Sequence, residues 1–155
     1  MRRAVIFLAV VLASVNAGAQ RSPQSSTSSG AGPTVEVFKS PTCGCCSKWV
    51  DHLRSHGFTV RTTDTDALDD IKAKHQIPQT ARSCHTALVG GYVVEGHVPA
   101  ADVHRLLKER PAVVGIAVPG MPIGSPGMEV AGMKAQSYDV LAFTKQGTTR
   151  IFASH

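Results

Sequence analysis

Three of the four cysteines of the chain lie within four consecutive residues. Cys43, Cys45 and Cys46 follow an alternating apolar run at residues 34–39 and precede a helix-like run at residues 47–56. This arrangement places three sulfurs at one strand-to-helix turn. A helix N-terminus presents unpaired backbone N–H groups and a partial positive charge, which favour thiolates over thiols. The sequence therefore predicts a cluster of nucleophilic, metal-binding sulfurs at this turn.

The first 19 residues have the pattern of a secretory signal peptide. Two arginines precede an apolar stretch at residues 4–13, and Ala17 and Ala19 form a small-x-small cleavage pattern. The apolar stretch is shorter than the about 20 residues that a transmembrane helix needs. We therefore expect cleavage after Ala19 and an exported, periplasmic protein with no membrane insertion. A retained membrane anchor is the alternative.

The signal peptide accounts for part of the basic character of the chain. The full sequence has 16 basic and 11 acidic residues and a formal net charge of +5. Removal of Arg2 and Arg3 with the signal peptide leaves 14 basic and 11 acidic residues, a charge of +3. The mature chain has no basic cluster with interleaved aromatic residues, so we expect no nucleic acid partner.

The mature chain has the element order strand, helix, strand, helix, hairpin and helix. The predicted strands are at residues 34–39, 58–62, 86–89 and 92–95. The predicted helices are at residues 47–56, from Asp64 or Thr65 through Lys74, and from Pro99 to Arg110. A helix between the first two strands predicts a parallel crossover, and Gly90 and Gly91 predict a hairpin turn.

This element order, with a cysteine motif after the first strand, resembles the thioredoxin fold. In that fold the segment entering the third strand passes close to the cysteine turn and carries a cis-proline. Here that segment contains Cys84 and His85, with His85 at about the proline position. The resemblance implies that both residues lie beside the three-thiol turn. We expect an α/β protein with a disordered linker at residues 20–33 and a thioredoxin-like domain at residues 34–111.

Residues 112–155 are expected to form an extension packed on the same domain. The Gly and Pro content of residues 115–129 argues against a regular helix and predicts a shaped loop. Strand-like runs at residues 138–143 and 148–152 predict a hairpin that holds this loop against the body. Met121 and Met128 lie in the loop, where they could bind or shield a metal; core packing is the alternative.

The residues themselves favour a soft-metal site. Soft thiolates and thioethers select Cu(I), and closely spaced thiolates can bridge several Cu(I) ions. The candidate ligands are Cys43, Cys45, Cys46, Cys84, His85, Met121 and Met128. His97 is expected to support these ligands without binding metal. The remaining histidines are expected to be solvated: His52, His56, His75, His104 and His155.

Five motifs together resemble the CopG-type group of exported copper-handling proteins. They are Cys-Gly-Cys-Cys at residues 43–46, Ser-Cys-His-Thr-Ala at residues 83–87, Gly-Tyr-Val-Val-Glu-Gly-His-Val-Pro at residues 91–99, the Gly/Pro/Met run at residues 115–129 and Tyr-Asp-Val at residues 138–140. The resemblance covers essentially all of residues 34–152. It implies a thioredoxin-like domain with a C-terminal extension, copper bound at the cysteine turn, and a role in copper resistance.

Three functional classes remain open at this stage. The first is a periplasmic copper-resistance protein that holds Cu(I) in a cysteine-bridged, polynuclear site and, as a copper-dependent oxidoreductase, interconverts Cu(I) and Cu(II). The second is a thiol-disulfide oxidoreductase in which Cys43 attacks, Cys46 resolves and Cys45 is a spectator. The third is an interaction module stabilised by zinc in a Cys₄ or Cys₃His site.

The expected partners follow from the copper interpretation. They are copper ions and a periplasmic copper exporter or chaperone, and we expect the protein to be a monomer. A structural disulfide between two of the cysteines is the simplest alternative for an exported protein. It is disfavoured because so short a loop constrains the unfolded chain very little.

Overall fold

The computed structural model describes residues 32–155. The predicted signal peptide and nearly all of the predicted linker lie outside the described residues. Within this part of the chain, no helix is long and apolar enough to cross a bilayer.

Seven strands and three α-helices are present in residues 32–155. The strands are β1 (Thr34–Lys39), β2 (Thr59–Asp64), β3 (His85–Val89), β4 (Tyr92–Glu95), β5 (Gly115–Ala117), β6 (Asp139–Phe143) and β7 (Thr149–Ser154). The helices are α1 (Gly44–Ser55), α2 (Leu68–Lys74) and α3 (Ala100–Glu109), and a 3₁₀ turn covers Gln79–Ala81.

All seven strands belong to one mixed sheet in the order β2-β1-β3-β4-β5-β6-β7. The strand β1 is parallel to β2 and antiparallel to β3, and β3 is antiparallel to β4. The strand β5 is parallel to β4, and β5, β6 and β7 are successively antiparallel. The predicted parallel crossover and both predicted hairpins are present. The protein is therefore a mixed α/β fold.

The helix α1 begins earlier than its sequence pattern indicates. The prediction started this helix at residue 47, whereas it begins at Gly44, directly after Cys43 with its extended backbone. The apolar residues that indicate this helix in the sequence are Trp49 and Leu53, which lie after its first turn. The sequence pattern therefore does not show where the helix begins. As a result Cys45 and Cys46 lie inside the first helical turn.

Two other element predictions need correction. Residues 115–117 were predicted to be loop, but they form β5, because β4 and β6 supply hydrogen-bonding partners on either side. Three residues are too few to show the alternation of apolar and polar side chains that indicates a strand. The N-cap of α2 is Ala67 rather than Asp64 or Thr65, although the Thr65 hydroxyl accepts the Ala67 N–H at 3.0 Å.

The sheet has a different hydrophobic cluster on each face. The larger cluster contains Trp49 and Leu53 of α1 and Leu106 of α3, all fully buried against the sheet. The smaller one includes Ile77 and Phe143. Full burial of a side chain such as Leu53 contributes about 1.5–3 kcal/mol. The larger cluster therefore anchors α1, and with it the cysteine turn, to the sheet.

Adjacent residues of the central strands contribute to opposite faces of the sheet. Val94 of β4 packs in the larger cluster with α1 and α3, whereas its neighbour Val93 packs in the smaller cluster. The same alternation in β3 places Ala87 in the larger cluster. Side chains that alternate with Val94 and Ala87, such as Glu95 and Thr86, therefore face the other side of the sheet.

A hydrogen bond joins His52 of α1 to α3. The half-buried His52 side chain accepts the backbone N–H of Ala100 through Nε2 at 3.1 Å, which requires an unprotonated nitrogen. Burial, followed by the charge of His56, lowers the pKa of His52 below its ordinary value of 6.5, while Glu129 opposes the shift. The bond therefore stabilises the fold above about pH 6.5 and is lost as the pH falls through the pKa of the folded state.

We expect acidification to destabilise the reduced, metal-free protein in part through His52. The variant His52→Gln places a non-titrating acceptor oxygen near the position of Nε2. It should show a smaller decrease in the free energy of unfolding between about pH 7.5 and about pH 5.5 than the unmodified protein. Urea-induced unfolding at the two pH values measures this difference. Equal decreases in both proteins would contradict the assigned role of His52.

Candidate metal centre

Four cysteine sulfurs converge at the N-terminus of α1, all within 4.8 Å of one another. Cys43 ends the β1–α1 connection, Cys45 and Cys46 lie in the first turn of α1, and Cys84 immediately precedes β3. The antiparallel pairing of β3 with β1 brings Cys84 to this position, because Lys39 at the end of β1 pairs with His85 at the start of β3. The Sγ atoms of Cys46 and Cys84 are consequently 3.6 Å apart.

Two of the four sulfurs are joined in a disulfide. Cys43 and Cys46 are bonded, with their Cα atoms 5.3 Å apart, whereas Cys45 and Cys84 are free thiols. The Sγ atom of Cys45 is 3.5 Å from that of Cys43. Each half of the disulfide therefore has a free thiol beside it. Reduction would make all four sulfurs available to a metal.

Two buried histidines extend the cluster on the Cys84 side. The Nε2 atom of His97 is 3.0 Å from Cys84 Sγ, and the Nδ1 atom of His85 is 3.3 Å from the same sulfur. Both histidines are fully buried. His85 was predicted to be near the cysteine turn and is found there, whereas His97 was assigned only a supporting role. Its distance from Cys84 makes it a candidate ligand.

The hairpin register could have identified His97 from the sequence. A two-residue turn at Gly90 and Gly91 pairs the flanking residues one by one, and the structure has Thr86 opposite Glu95. The two chain segments stay paired beyond the strands, because Gly96 donates its N–H to the carbonyl of His85 at 3.0 Å. The same register, extended by one more residue on each side, places His97 opposite Cys84.

A carbonyl group of the Gly/Pro-rich loop orients His97. The Nδ1 atom of His97 lies 2.8 Å from the carbonyl oxygen of Pro126, so Nδ1 carries the proton and donates this bond. The Nε2 atom is then unprotonated and faces Cys84. Burial lowers the pKa of His97, which favours this neutral form. A neutral imidazole with its other nitrogen held by a carbonyl is the usual arrangement of a metal-binding histidine.

His85 has an unsatisfied nitrogen. Its Nε2 atom is buried and lacks a hydrogen-bond partner among residues 32–155. Its ring lies against that of Trp49, with the centroids 4.4 Å apart. Burial, followed by the charge of His97, lowers the pKa of His85 well below its ordinary value. A buried, neutral imidazole whose Nδ1 lies beside a thiol is a suitable donor for a soft metal.

The Cys84 thiol is protonated in the metal-free protein at neutral pH. Burial, followed by the charge of Cys45, raises its pKa to about 11. Thiolates rather than thiols bind metals, so a metal bound here must displace this proton. Metal affinity at this site should therefore decrease as the pH falls.

The predicted loop packs directly on the cysteine turn. A Cβ atom at Gly127 would lie 2.8 Å from the carbonyl oxygen of Cys45 and 2.8 Å from the backbone nitrogen of Trp49. Ser125, Pro126 and Gly127 are buried. The methionines of the loop are less enclosed: Met121 is 51% exposed and Met128 is half-buried.

Comparison with known proteins identifies two similar structures and one family model. The solved structures are described as form 1 and form 2 of the copper resistance protein CopG. Each is 41% identical to this chain with a TM-score of 0.75; they cover 80% and 79% of this chain, and 98% of each of their own chains is matched. A family model described as a protein of unknown function, DUF411, matches residues 81–128. No curated protein matches the chain.

Replacement of Gly127 should disrupt the contact between the loop and the cysteine turn. Its φ of +85° and the 2.8 Å approaches both oppose a side chain. The control is Gly132→Ala, which shares a positive φ of +77° but has open space around the added methyl group. Positive φ alone costs about 1–2 kcal/mol.

We expect Gly127→Ala to lose more unfolding free energy than this control and to increase the alkylation rate of Cys45 in the reduced protein. Denaturant unfolding and mass-resolved alkylation measure the two effects. Equal losses in Gly127→Ala and Gly132→Ala would contradict the close packing.

Proposed function

The chain belongs to the CopG family of copper resistance proteins, and we propose that it binds Cu(I) through its cysteine cluster. The observation that carries this proposal is the convergence of four sulfurs within 4.8 Å. Thiolate sulfurs prefer Cu(I) among the metals available to such a site. The buried imidazoles of His85 and His97 add two neutral nitrogen donors on the Cys84 side.

We propose that the bound copper is polynuclear. Four sulfurs and two imidazoles exceed the donors that one four-coordinate ion can use. The Sγ atoms are 3.5 Å apart in Cys43 and Cys45 and 3.6 Å apart in Cys46 and Cys84, so each pair is close enough to bind one shared ion, because two sulfurs with metal–sulfur bonds of about 2.3 Å can be at most about 4.6 Å apart. Thiolates this close can each bridge two Cu(I) ions, provided that the disulfide is first reduced.

The remaining candidate ligands are the loop methionines. Met128 directly follows Gly127, whose backbone touches the first turn of α1, and it is half-buried. Met121 is 51% exposed and would need a larger movement to reach copper. We therefore assign the thioether role first to Met128 and second to Met121. A thioether would favour Cu(I) and limit solvent access.

We further propose that residues 34–111 form a thioredoxin-like domain and that residues 112–155 extend it. Support comes from the order β2-β1-β3-β4, the parallel β1 and β2 with α1 between them, and the antiparallel β3. In this proposal β5, β6 and β7 continue the sheet from β4. The cysteine turn then occupies the position where thioredoxin-like proteins carry their redox motif.

The proposed cellular role is copper resistance in the periplasm. An export signal at residues 1–19 would place the protein where Cu(I) and Cu(II) both occur, and a copper exporter or chaperone would supply the metal. A monomer suffices for this role because one chain contributes all six proposed cysteine and histidine donors. Interconversion of Cu(I) and Cu(II) at the cluster would make the protein a copper-dependent oxidoreductase.

A second candidate function is thiol-disulfide exchange, which the disulfide between Cys43 and Cys46 favours. In this role Cys43 would attack a substrate disulfide and Cys46 would resolve the mixed disulfide. Cys45 and Cys84 have no part in that chemistry. Their proximity to the pair therefore favours the copper function.

The first test is the stoichiometry of copper binding. We expect the reduced mature protein, titrated anaerobically with Cu(I) against a competing chelator, to bind more than one equivalent. Zinc should compete poorly for the same site because thiolates select Cu(I) over zinc in a bridged cluster. Tight binding of a single zinc ion, with no copper uptake beyond one equivalent, would contradict the proposal and favour a structural zinc site.

The second test separates the two candidate functions. Cys45→Ser and Cys84→Ser should each weaken Cu(I) binding strongly and leave the disulfide between Cys43 and Cys46 able to form. Chelator competition measures the first property, and a redox titration with glutathione measures the second. Ser55→Ala, at the other end of the same helix, serves as a control that should bind copper normally. Full copper affinity in both serine variants would instead support thiol-disulfide exchange.

A further inference from the structure

A buried ion pair lies on the face of the sheet opposite α1. Lys72 of α2 and Glu95 of β4 have side chains that are 5% and 0% exposed, with Nζ and Oε1 2.5 Å apart. Among the ion pairs in residues 32–155, this one alone has both side chains almost completely buried. Within residues 32–155 neither side chain forms a hydrogen bond with a cysteine sulfur.

Stability is a poor explanation for this pair. Transfer of two charges into a protein interior costs several kcal/mol per ion, and apolar replacements of similar volume are often neutral or stabilising. Because burial of the two charges carries this cost, we expect a role of the pair in fixing the geometry of the residues around it. The atoms to which Glu95 and Lys72 bind identify which geometry is fixed.

The Glu95 carboxylate holds the chain on both sides of Cys84. Its Oε1 atom accepts the backbone N–H of Ser83 at 2.7 Å, and its Oε2 atom accepts the hydroxyl of Thr86 at 2.7 Å. Lys72 donates to the same Thr86 hydroxyl at 3.0 Å. One carboxylate therefore fixes the residue before Cys84 and the residue two positions after it.

Ser83 is held from a second direction as well. Its hydroxyl donates to the carbonyl of Gly120. A Cβ atom at Gly96 would lie 2.4 Å from the Ser83 hydroxyl oxygen and 2.7 Å from the carbonyl oxygen of Val118. Backbone and side chain of Ser83 are thus both fixed, which leaves Cys84 little freedom to move.

We propose that the Lys72–Glu95 pair positions Cys84 for copper, by holding Ser83 and Thr86 so that the Cys84 sulfur stays beside Cys46 and His97. This inference rests on the proposed copper function, but the positioning itself is a property of the metal-free protein. Glu95 and Lys72 are positioning residues that act through the backbone. They fix the position of the Cys84 sulfur relative to the other sulfurs before copper binds.

The decisive variant replaces both charged residues at once. In Lys72→Met/Glu95→Leu the apolar side chains have volumes similar to those replaced, so no unpaired charge is left in the interior, whereas the Ser83 N–H loses its acceptor and the Thr86 hydroxyl loses both partners, which lowers stability to some extent. We expect Cys84 in the reduced, metal-free variant to be alkylated faster than in the unmodified protein, with the Cys45 rate unchanged. We also expect Cu(I) affinity to fall by about 10- to 100-fold and the Cu(I)–thiolate absorption to approach that of Cys84→Ser.

A matched control removes another buried acid, whose side-chain contact is with His155 and not with the segment around Cys84. Asp102 of α3 is 5% exposed and lies 2.7 Å from His155 Nε2. Asp102→Asn should leave the Cys84 alkylation rate and the copper spectrum unchanged. A change in both readouts for Asp102→Asn equal to that of the double variant would overturn the proposal, because any loss of buried charge would then suffice.

Lys72→Met/Glu95→Gln provides the same readouts should Lys72→Met/Glu95→Leu fail to fold. It leaves no unpaired buried charge, and its amide oxygen can still accept the Ser83 N–H but is no longer held by an ion pair, so we expect a smaller change in the same direction. Alkylation of Cys84 and copper affinity both unchanged in a folded variant would overturn the proposal. Faster alkylation of Cys84 in a protein whose unmodified form binds no Cu(I) would support the positioning role and refute only the copper function.

Discussion

The antiparallel pairing of β3 with β1 is the interaction on which the site depends. It places the start of β3 beside the end of β1, and so brings Cys84 from a distant part of the sequence to the turn that carries the other cysteines. The β3–β4 hairpin then places the Nε2 atom of His97 3.0 Å from the Cys84 sulfur. Two strand pairings, each satisfied by backbone hydrogen bonds, therefore assemble donors from three segments of the chain.

Each face of the central sheet stabilises a different part of this site. On one face, Trp49 and Leu53 anchor α1 and the cysteine turn in the larger hydrophobic cluster. On the other face, charged and hydroxyl side chains hold the backbone around Cys84. The Gly/Pro-rich loop covers the turn from outside, where only a glycine at position 127 permits the close approach. The site is thus held by apolar packing, buried polar contacts and a tight loop.

Local patterns predicted the elements that carry strong periodicity or distinct turn chemistry. Alternation identified β1, the apolar spacing of Trp49 and Leu53 identified α1, and Gly90 and Gly91 identified the first hairpin. The strand β5 was not predicted because it has only three residues, the first of them a glycine, and so few residues show no alternation of apolar and polar side chains. The proximity of His97 to Cys84 was missed because it follows only when the register set by the Gly90–Gly91 turn is extended two residues beyond the paired strands. The pairing of Cys43 with Cys46 was expected only in the thiol-disulfide alternative, because a structural disulfide was disfavoured on the ground that so short a loop constrains the unfolded chain very little.

X-ray absorption spectroscopy of the Cu(I)-loaded mature protein tests the central claim most directly, because it reports the atoms around copper. A cysteine-bridged polynuclear site predicts sulfur neighbours at about 2.3 Å, as for other metal–thiolate bonds, together with a short copper–copper distance. The additional imidazole donors predict a minor nitrogen contribution. A spectrum with sulfur or nitrogen neighbours but no copper–copper scattering at full loading would contradict the account.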